Sequence, residues 1–180
     1  RVGAFVVNGR EVDLPDWQEL MKKIKEEEIP LEVLGAGDKI TFQNNSIDFL
    51  SPDNRQLQSA ELNDGSLVGL VRTPEAKVLL TGDISLSIED YLIEKFGVEA
   101  FDADILKIPH HGSKYSSGEK LLDAVTPAVA VIEVGKNNYG HPTNEVLGRL
   151  ESEEIKSFRT DTVGTLRIEF RGGKLQVYGL

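Results

Sequence analysis

The sequence predicts an α/β protein whose layers contain more than one sheet. Two patterns carry that reading. The early apolar segments are short and joined by tight turns, as in hairpins, whereas the later ones alternate with helical stretches. Size is the third observation: 180 residues, 39% hydrophobic and 28% charged, suit one domain with a real core.

The first candidate strand is Val2–Val7, ended by the turn pair Asn8-Gly9. It has no obvious partner early in the chain, which points to a neighbour missing upstream. Asp13 is expected to cap a helix with Pro15 in its first turn and Trp17, Leu20, Met21 and Ile24 at helical spacing. The charged run Lys22–Glu28 reads as its solvated face. Strands follow at Leu31–Leu34, Lys39–Gln43 and Ser46–Leu50, separated by Gly35, Gly37 and Asn44-Asn45. A polar loop, Ser51–Asp64, leads to strands Ser66–Arg72 and Lys77–Leu80, paired as a hairpin across Thr73-Pro74-Glu75-Ala76. Ser85 or Ser87 starts a helix that Gly97 ends. Next come a strand (Ile105–Ile108), a helix (Gly118–Val125), a strand (Ala128–Val134) and a helix near Asn144–Glu151. Strands at Ile155–Phe158, Thr165–Phe170 and Lys174–Tyr178 close the chain.

The chain carries 30 Asp and Glu against 20 Lys and Arg, a formal charge of −10. That balance disfavours broad nucleic-acid binding, which rests on Lys and Arg releasing counterions from phosphates. A local metal centre can still outweigh a distant acidic surface. With no cysteine, disulfides and thiolate metal sites are excluded, so a transition-metal site must use His and carboxylate ligands. No apolar run approaches the roughly 18 residues of a membrane span, and no direct membrane insertion is expected.

Chemistry-bearing residues gather in three places, each after an apolar strand. Val78-Leu79-Leu80-Thr81-Gly82-Asp83 puts an Asp at the carboxyl end of a strand, where open α/β sheets build their sites. Taken alone, Asp83 reads more readily as a cap for the next helix. Ile105-Leu106-Lys107-Ile108-Pro109-His110-His111-Gly112-Ser113 sets two of the chain's three histidines side by side, so that one can bind a metal while the other faces a substrate. Gly135-Lys136-Asn137-Asn138-Tyr139-Gly140-His141-Pro142 holds the third, beside groups suited to an anionic oxygen; its plainer reading is a turn-rich link capped by Asn144. Parallel βαβ connections tend to bring such strand ends to one edge, so Asp83 and all three histidines are expected to converge.

In that order, L-L-T-G-D, A-D-I-L-K-I-P-H-H-G-S, V-G-K-N-N-Y-G-H-P-T and F-R-T-D closely resemble the metallo-β-lactamase-like domain of ComEC-type DNA-internalisation proteins and their stand-alone relatives. The resemblance runs from about Leu31 to about Leu166; Ile47–Pro52 and Asn63–Val68 share it, although Asp64-Gly65 replaces polar residues of the pattern. It implies an αββα sandwich, one or two metal ions (zinc or manganese) and hydrolysis by metal-activated water. By position, Asp83 and His110 look like metal ligands. His111 and His141 look like catalytic groups on the substrate side, with Ser113, Lys136, Asn137 and Asn138 binding substrate oxygens. The implied substrate is DNA or a small phosphate ester. The resemblance also implies a membrane channel domain as partner and the extracytoplasmic face of the membrane as location.

The family's H-x-H-x-D-H segment, which supplies most of the metal ligands, is absent; the first histidine is His110. The chain is therefore expected to be a single domain over 1–180, the C-terminal portion of a metallo-β-lactamase-like domain, beginning just beyond that segment. With one Asp and one or two His against the three protein ligands of a catalytic zinc, weak or no metal binding and no turnover are expected of it alone. Two other readings stand beside this one. One is a degenerate domain kept for contacts or regulation. The other is a metal-free enzyme pairing His110 or His141 with Asp83, though no serine sits in a nucleophile elbow.

Overall fold

In the computed structural model, which describes residues 2–179, the chain opens on a strand–helix–strand unit. Strand β1 (Phe5–Val7) pairs in parallel with β2 (Leu31–Val33), Phe5 opposite Leu31, across helix α1 (Pro15–Glu26). The first strand thus has its partner inside the chain. It was not legible because a parallel partner lies beyond a crossover helix rather than next in line. The residue capping α1 is Leu14, which makes no side-chain cap bond; Asp13 instead accepts from Gln18 Nε2 at 2.8 Å.

Seven strands form the main sheet among the described residues. Antiparallel pairing joins β3 (Lys39–Phe42), β4 (Asn45–Ser51), β5 (Val68–Arg72) and β6 (Lys77–Leu80) in chain order. The sheet then turns parallel through β7 (Ile105–Lys107), β8 (Val129–Ile132) and β9 (Lys156–Arg159), giving the order β3-β4-β5-β6-β7-β8-β9. The switch has a simple cause: the turn at Thr73–Ala76 is too short for anything but a hairpin, whereas helices separate the later strands. Those helices are α3 (Leu86–Phe96), α4 (Glu119–Val125) and α5 (Asn144–Ser152). Thr143, not Asn144, holds the cap position of α5.

The loop expected at Ser51–Asp64 contains structure of its own. Asp53 caps a short helix, α2 (Asn54–Leu57), in a reciprocal capping box with Gln56. A 3₁₀ turn, Leu62–Gly65, follows. Another short helix, α6 (Thr160–Val163), and an antiparallel hairpin of β10 (Leu166–Arg171) and β11 (Lys174–Gly179) end the described chain. The one-turn helices escape sequence reading because they are too brief to show a 3.6-residue period.

Period-two alternation divides the parallel strands between two faces. One face sends Leu79, Leu106, Ala130 and Ile132 against Leu92, Leu121, Val125, Val146 and Leu150 of the helices, all buried in one cluster. Each such Leu or Ile contributes about 1.5–3 kcal/mol by leaving water. The opposite face carries Val78, Leu80, Ile105 and Val131. Together with Leu166, Ile168 and Phe170 of the terminal hairpin, these side chains line a cavity of about 1040 Å³.

Candidate active site at three strand ends

Because β6, β7 and β8 are parallel neighbours, their carboxyl ends share one edge of the sheet. After β6, Thr81 is buried and donates through Oγ1 to the Lys107 carbonyl at 2.7 Å, tying the first strand end to the second. Gly82 then bends the chain at φ 57°, where a Cβ would come within 2.6 Å of Ser66 Cβ, so that only glycine fits. The bend presents Asp83, whose backbone N–H donates to Ser66 Oγ at 3.1 Å.

After β7, Pro109–Gly112 forms a tight turn in which His110 (φ 50°, ψ 42°) and His111 (φ 55°, ψ 19°) are both left-handed. That backbone costs about 1–2 kcal/mol per non-glycine residue, and several bonds hold it. His110 N–H donates to the Gly82 carbonyl at 3.2 Å, and Thr143 N–H to the Gly112 carbonyl at 2.9 Å. Gly112 packs so closely on Pro142 that a Cβ there would lie 2.6 Å from Pro142 Cβ. The second and third loops are therefore fitted to each other.

Asp83 and the three histidines converge. His111 Nε2 lies 3.8 Å from Asp83 Oδ2. The His110 ring centroid is 6.5 Å from that of His111 and 5.6 Å from that of His141. Beyond it, Tyr139 stands 6.0 Å from His141. His110, Ser113, Tyr115, Tyr139 and His141 line a groove of about 590 Å³. Both tyrosines are exposed, at 65% and 83%. Burial, and then the neighbouring His110 and His111, hold the His141 imidazole below its ordinary pKa. The cavity under the terminal hairpin is larger, but its lining mixes apolar residues with Glu75, Lys107 and Glu133 and includes no histidine.

The histidine facing Asp83 is His111; His110, the expected metal ligand, neighbours His141. The His111 Nδ1 lies 2.6 Å from the Glu133 carbonyl. A carbonyl only accepts, so Nδ1 carries the proton, and in the neutral ring Nε2 directs a lone pair toward the Asp83 carboxylate. In that form two electron-rich atoms face each other across 3.8 Å, an arrangement that either a cation between them or a second proton on the ring reconciles. The carbonyl behind the ring is the kind of partner that orients a metal-bound histidine. The pair thus offers two donor atoms of the kind a metal takes. Among the described residues no group of three His, Asp or Glu is placed to hold an ion.

The remaining expected site residues divide. Asn137 spends its amide on its own loop, donating to the Gly135 and His141 carbonyls and accepting from the Tyr139 and His141 N–H groups. Ser113 is buried and its Oγ accepts from Tyr115 N–H at 3.3 Å. Lys136 and Asn138 are exposed on the third loop. Sequence reading missed two residues that hydrogen-bond to the loops carrying these side chains. Ser66, which anchors Asp83, leaves no readable signal. Glu89 does: it interrupts the spacing Leu86, Glu89, Leu92 on an otherwise apolar helix stripe.

The fold and this edge define a class, and the chain belongs to it: residues 10–135 match the metallo-beta-lactamase superfamily. Within that superfamily it is similar to competence proteins of the ComEC type. It is 32% identical over 181 residues to ComE operon protein 3 of Bacillus subtilis (99% of this chain, 23% of that protein). It is 37% identical over 137 residues to Competence protein ComA of Neisseria gonorrhoeae (73% and 19%). It is 33% identical over 143 residues to Recombination protein 2 of Haemophilus influenzae (79% and 17%). The chain spans about a fifth of the length of these curated relatives.

Proposed function

We propose that these residues are part of a metal-dependent phosphodiesterase, a DNA nuclease associated with DNA uptake, and that further metal ligands come from outside them. The observation carrying this reading is the Asp83–His111 pair, set at a strand-end edge with His110 and His141 beside it. Similarity to competence and recombination proteins supports DNA as the substrate class; the net charge of −10 favours a small phosphate ester instead. In this reading Asp83 and His111 hold zinc or manganese. The metal, when bound, activates water and polarises the phosphoryl oxygen. His110 and His141 face the groove and exchange protons with substrate and leaving group. Ser113, Lys136 and Asn138 border the phosphate oxygens, and Asn137 keeps His141 in place. The family resemblance of the sequence motifs, rather than any contact in the structure, would put such a domain on the extracytoplasmic side of a membrane, next to a channel domain. Among the described residues no helix is long and apolar enough to cross a membrane.

The donor count favours a second reading, a non-catalytic domain with an interaction or regulatory role, because two ligands fall short of the three of a catalytic zinc. Metal content per chain, measured beside Asp83→Ala together with hydrolysis of bis-p-nitrophenyl phosphate and labelled DNA, separates the two. Substoichiometric metal that disappears in Asp83→Ala, without turnover, is the expected result. A tightly held ion with hydrolysis would show these residues to be sufficient. Metal content indifferent to Asp83 would remove the hydrolase site from this edge.

A further inference from the structure

The segment Pro109–Gly118 carries the two histidines in left-handed backbone, and Ser117 adds another left-handed residue at φ 57°. Such a segment keeps its shape only where its surroundings over-determine it. At its far end one side chain does so. Glu89 of α3 is 1% exposed; its Oε1 accepts the Ser117 N–H at 2.6 Å and its Oε2 the Gly118 N–H at 2.8 Å. Beside it, Arg149 of α5 donates through Nη2 to the Ser116 carbonyl at 2.8 Å. Ser116 Oγ in turn donates to the Pro109 and Ser113 carbonyls, each at 3.0 Å. The bonds therefore run from Glu89 and Arg149 through Ser116–Gly118 to the residue preceding His110.

Helix packing alone gives no reason for an acid at this position. Leu86 and Leu92 continue the same helix stripe, and an ionised buried carboxylate costs several kcal/mol unless well compensated. Burial pushes Glu89 up to about 7, against the two backbone N–H bonds and the charge of Arg149, which pull it down, while Asp90 adds slightly to the rise. Two further buried atoms nearby, Ser117 Oγ and Arg149 Nε, have no hydrogen-bond partner among the described residues.

We propose that Glu89 is the positioning residue of the histidine turn, fixing where the His110 and His111 imidazoles stand by pinning Ser117 and Gly118 to α3. Its importance for function rests on the reading that those histidines are working groups of the site.

The test is long-range ¹H–¹⁵N spectroscopy of the imidazoles and amide hydrogen exchange on the whole chain. Glu89→Ala is expected to shift both the His110 and His111 ring resonances and to speed exchange at Ser117 and Gly118 about tenfold, the loss of one backbone bond each. Glu89→Gln keeps one acceptor oxygen and is expected to fall between, so it decides the matter if the alanine variant does not fold. Leu92→Ala, a core truncation in the same helix, is expected to lower Tm and leave the ring resonances in place. Ring resonances unmoved in both Glu89 variants, or moved equally by Leu92→Ala, would overturn the proposal. Adding zinc to the wild-type chain tests the underlying reading separately. Zinc that perturbs no histidine would end the metal-site reading while leaving the positioning result standing.

Discussion

His111 Nε2 stands 3.8 Å from Asp83 Oδ2, with the opposite ring nitrogen held by the Glu133 carbonyl at 2.6 Å. The relationship joins the ends of two adjacent parallel strands and fixes which imidazole nitrogen is free to act as a ligand.

His111→Ala is therefore expected to weaken zinc or cobalt binding about tenfold or more, and Asp83→Ala likewise. His110→Ala should weaken it less, because His110 neighbours His141 rather than the carboxylate. Isothermal titration with each variant reads the order directly. A larger loss from His110→Ala than from His111→Ala would reverse the assignment.

Gly112→Ala tests the fit between the histidine turn and the third loop. The new Cβ would meet Pro142 Cβ at 2.6 Å in a backbone already at φ 83°. Strain and overpacking together predict a loss of roughly 2–4 kcal/mol, or a fall in Tm of about 5–10 °C. Calorimetry showing a change below 2 °C would mean the two loops are free to separate.

Glu89 makes stability depend on pH in the opposite sense to an ordinary ion-paired carboxylate. Its native pKa is raised from 4.5 to about 7, so the folded state holds the extra proton between those values. Its contribution is full below pH 4.5 and is lost as pH rises through 7. At about 1.4 kcal/mol per unit the effect is roughly 3 kcal/mol. Urea denaturation at pH 5 and pH 8 should show this decline in the wild type and lose it in Glu89→Gln.

Asp53 works the other way. Burial acts upward on it, but hydrogen bonds from Lys95 Nζ at 2.6 Å and Tyr91 Oη at 2.5 Å outweigh burial and hold it at about 2. Its contribution is complete above the ordinary value of 3.8 and is lost as pH falls through 2. Wild type should therefore lose more stability than Asp53→Asn between pH 4 and pH 2, by chemical denaturation. Equal losses would show that the Asp53–Lys95 contact carries little.

Much of this architecture is legible in the sequence, for identifiable reasons. The hairpin across Thr73–Ala76, α3 ending at Gly97 and the β7–α4–β8 alternation are signalled by local turn residues and periodicity. The convergence of Asp83 with three histidines follows because strands ending in chemistry-bearing loops were also parallel neighbours. What stayed hidden depends on tertiary contact. The pairing of β1 with β2 spans a helix. The choice of His111 over His110 beside Asp83 is made by left-handed backbone and one distant carbonyl. The amide of Asn137 is consumed within its own loop, and the partners of Glu89 lie on a loop well beyond its own helix.

Strand β6 is the fourth of seven in the main sheet, hydrogen-bonded on one side to an antiparallel neighbour and on the other to a parallel one. Asp83 thus emerges from the strand farthest from both rims, where opening requires the most surrounding structure to give way. Fraying at β3 or β9 should leave that carboxylate undisturbed. In native-state hydrogen exchange the sheet should open from its borders inward, with the amides of Leu79 and Leu106 among the last to lose protection. Early loss there would mean that the centre yields as readily as the margins.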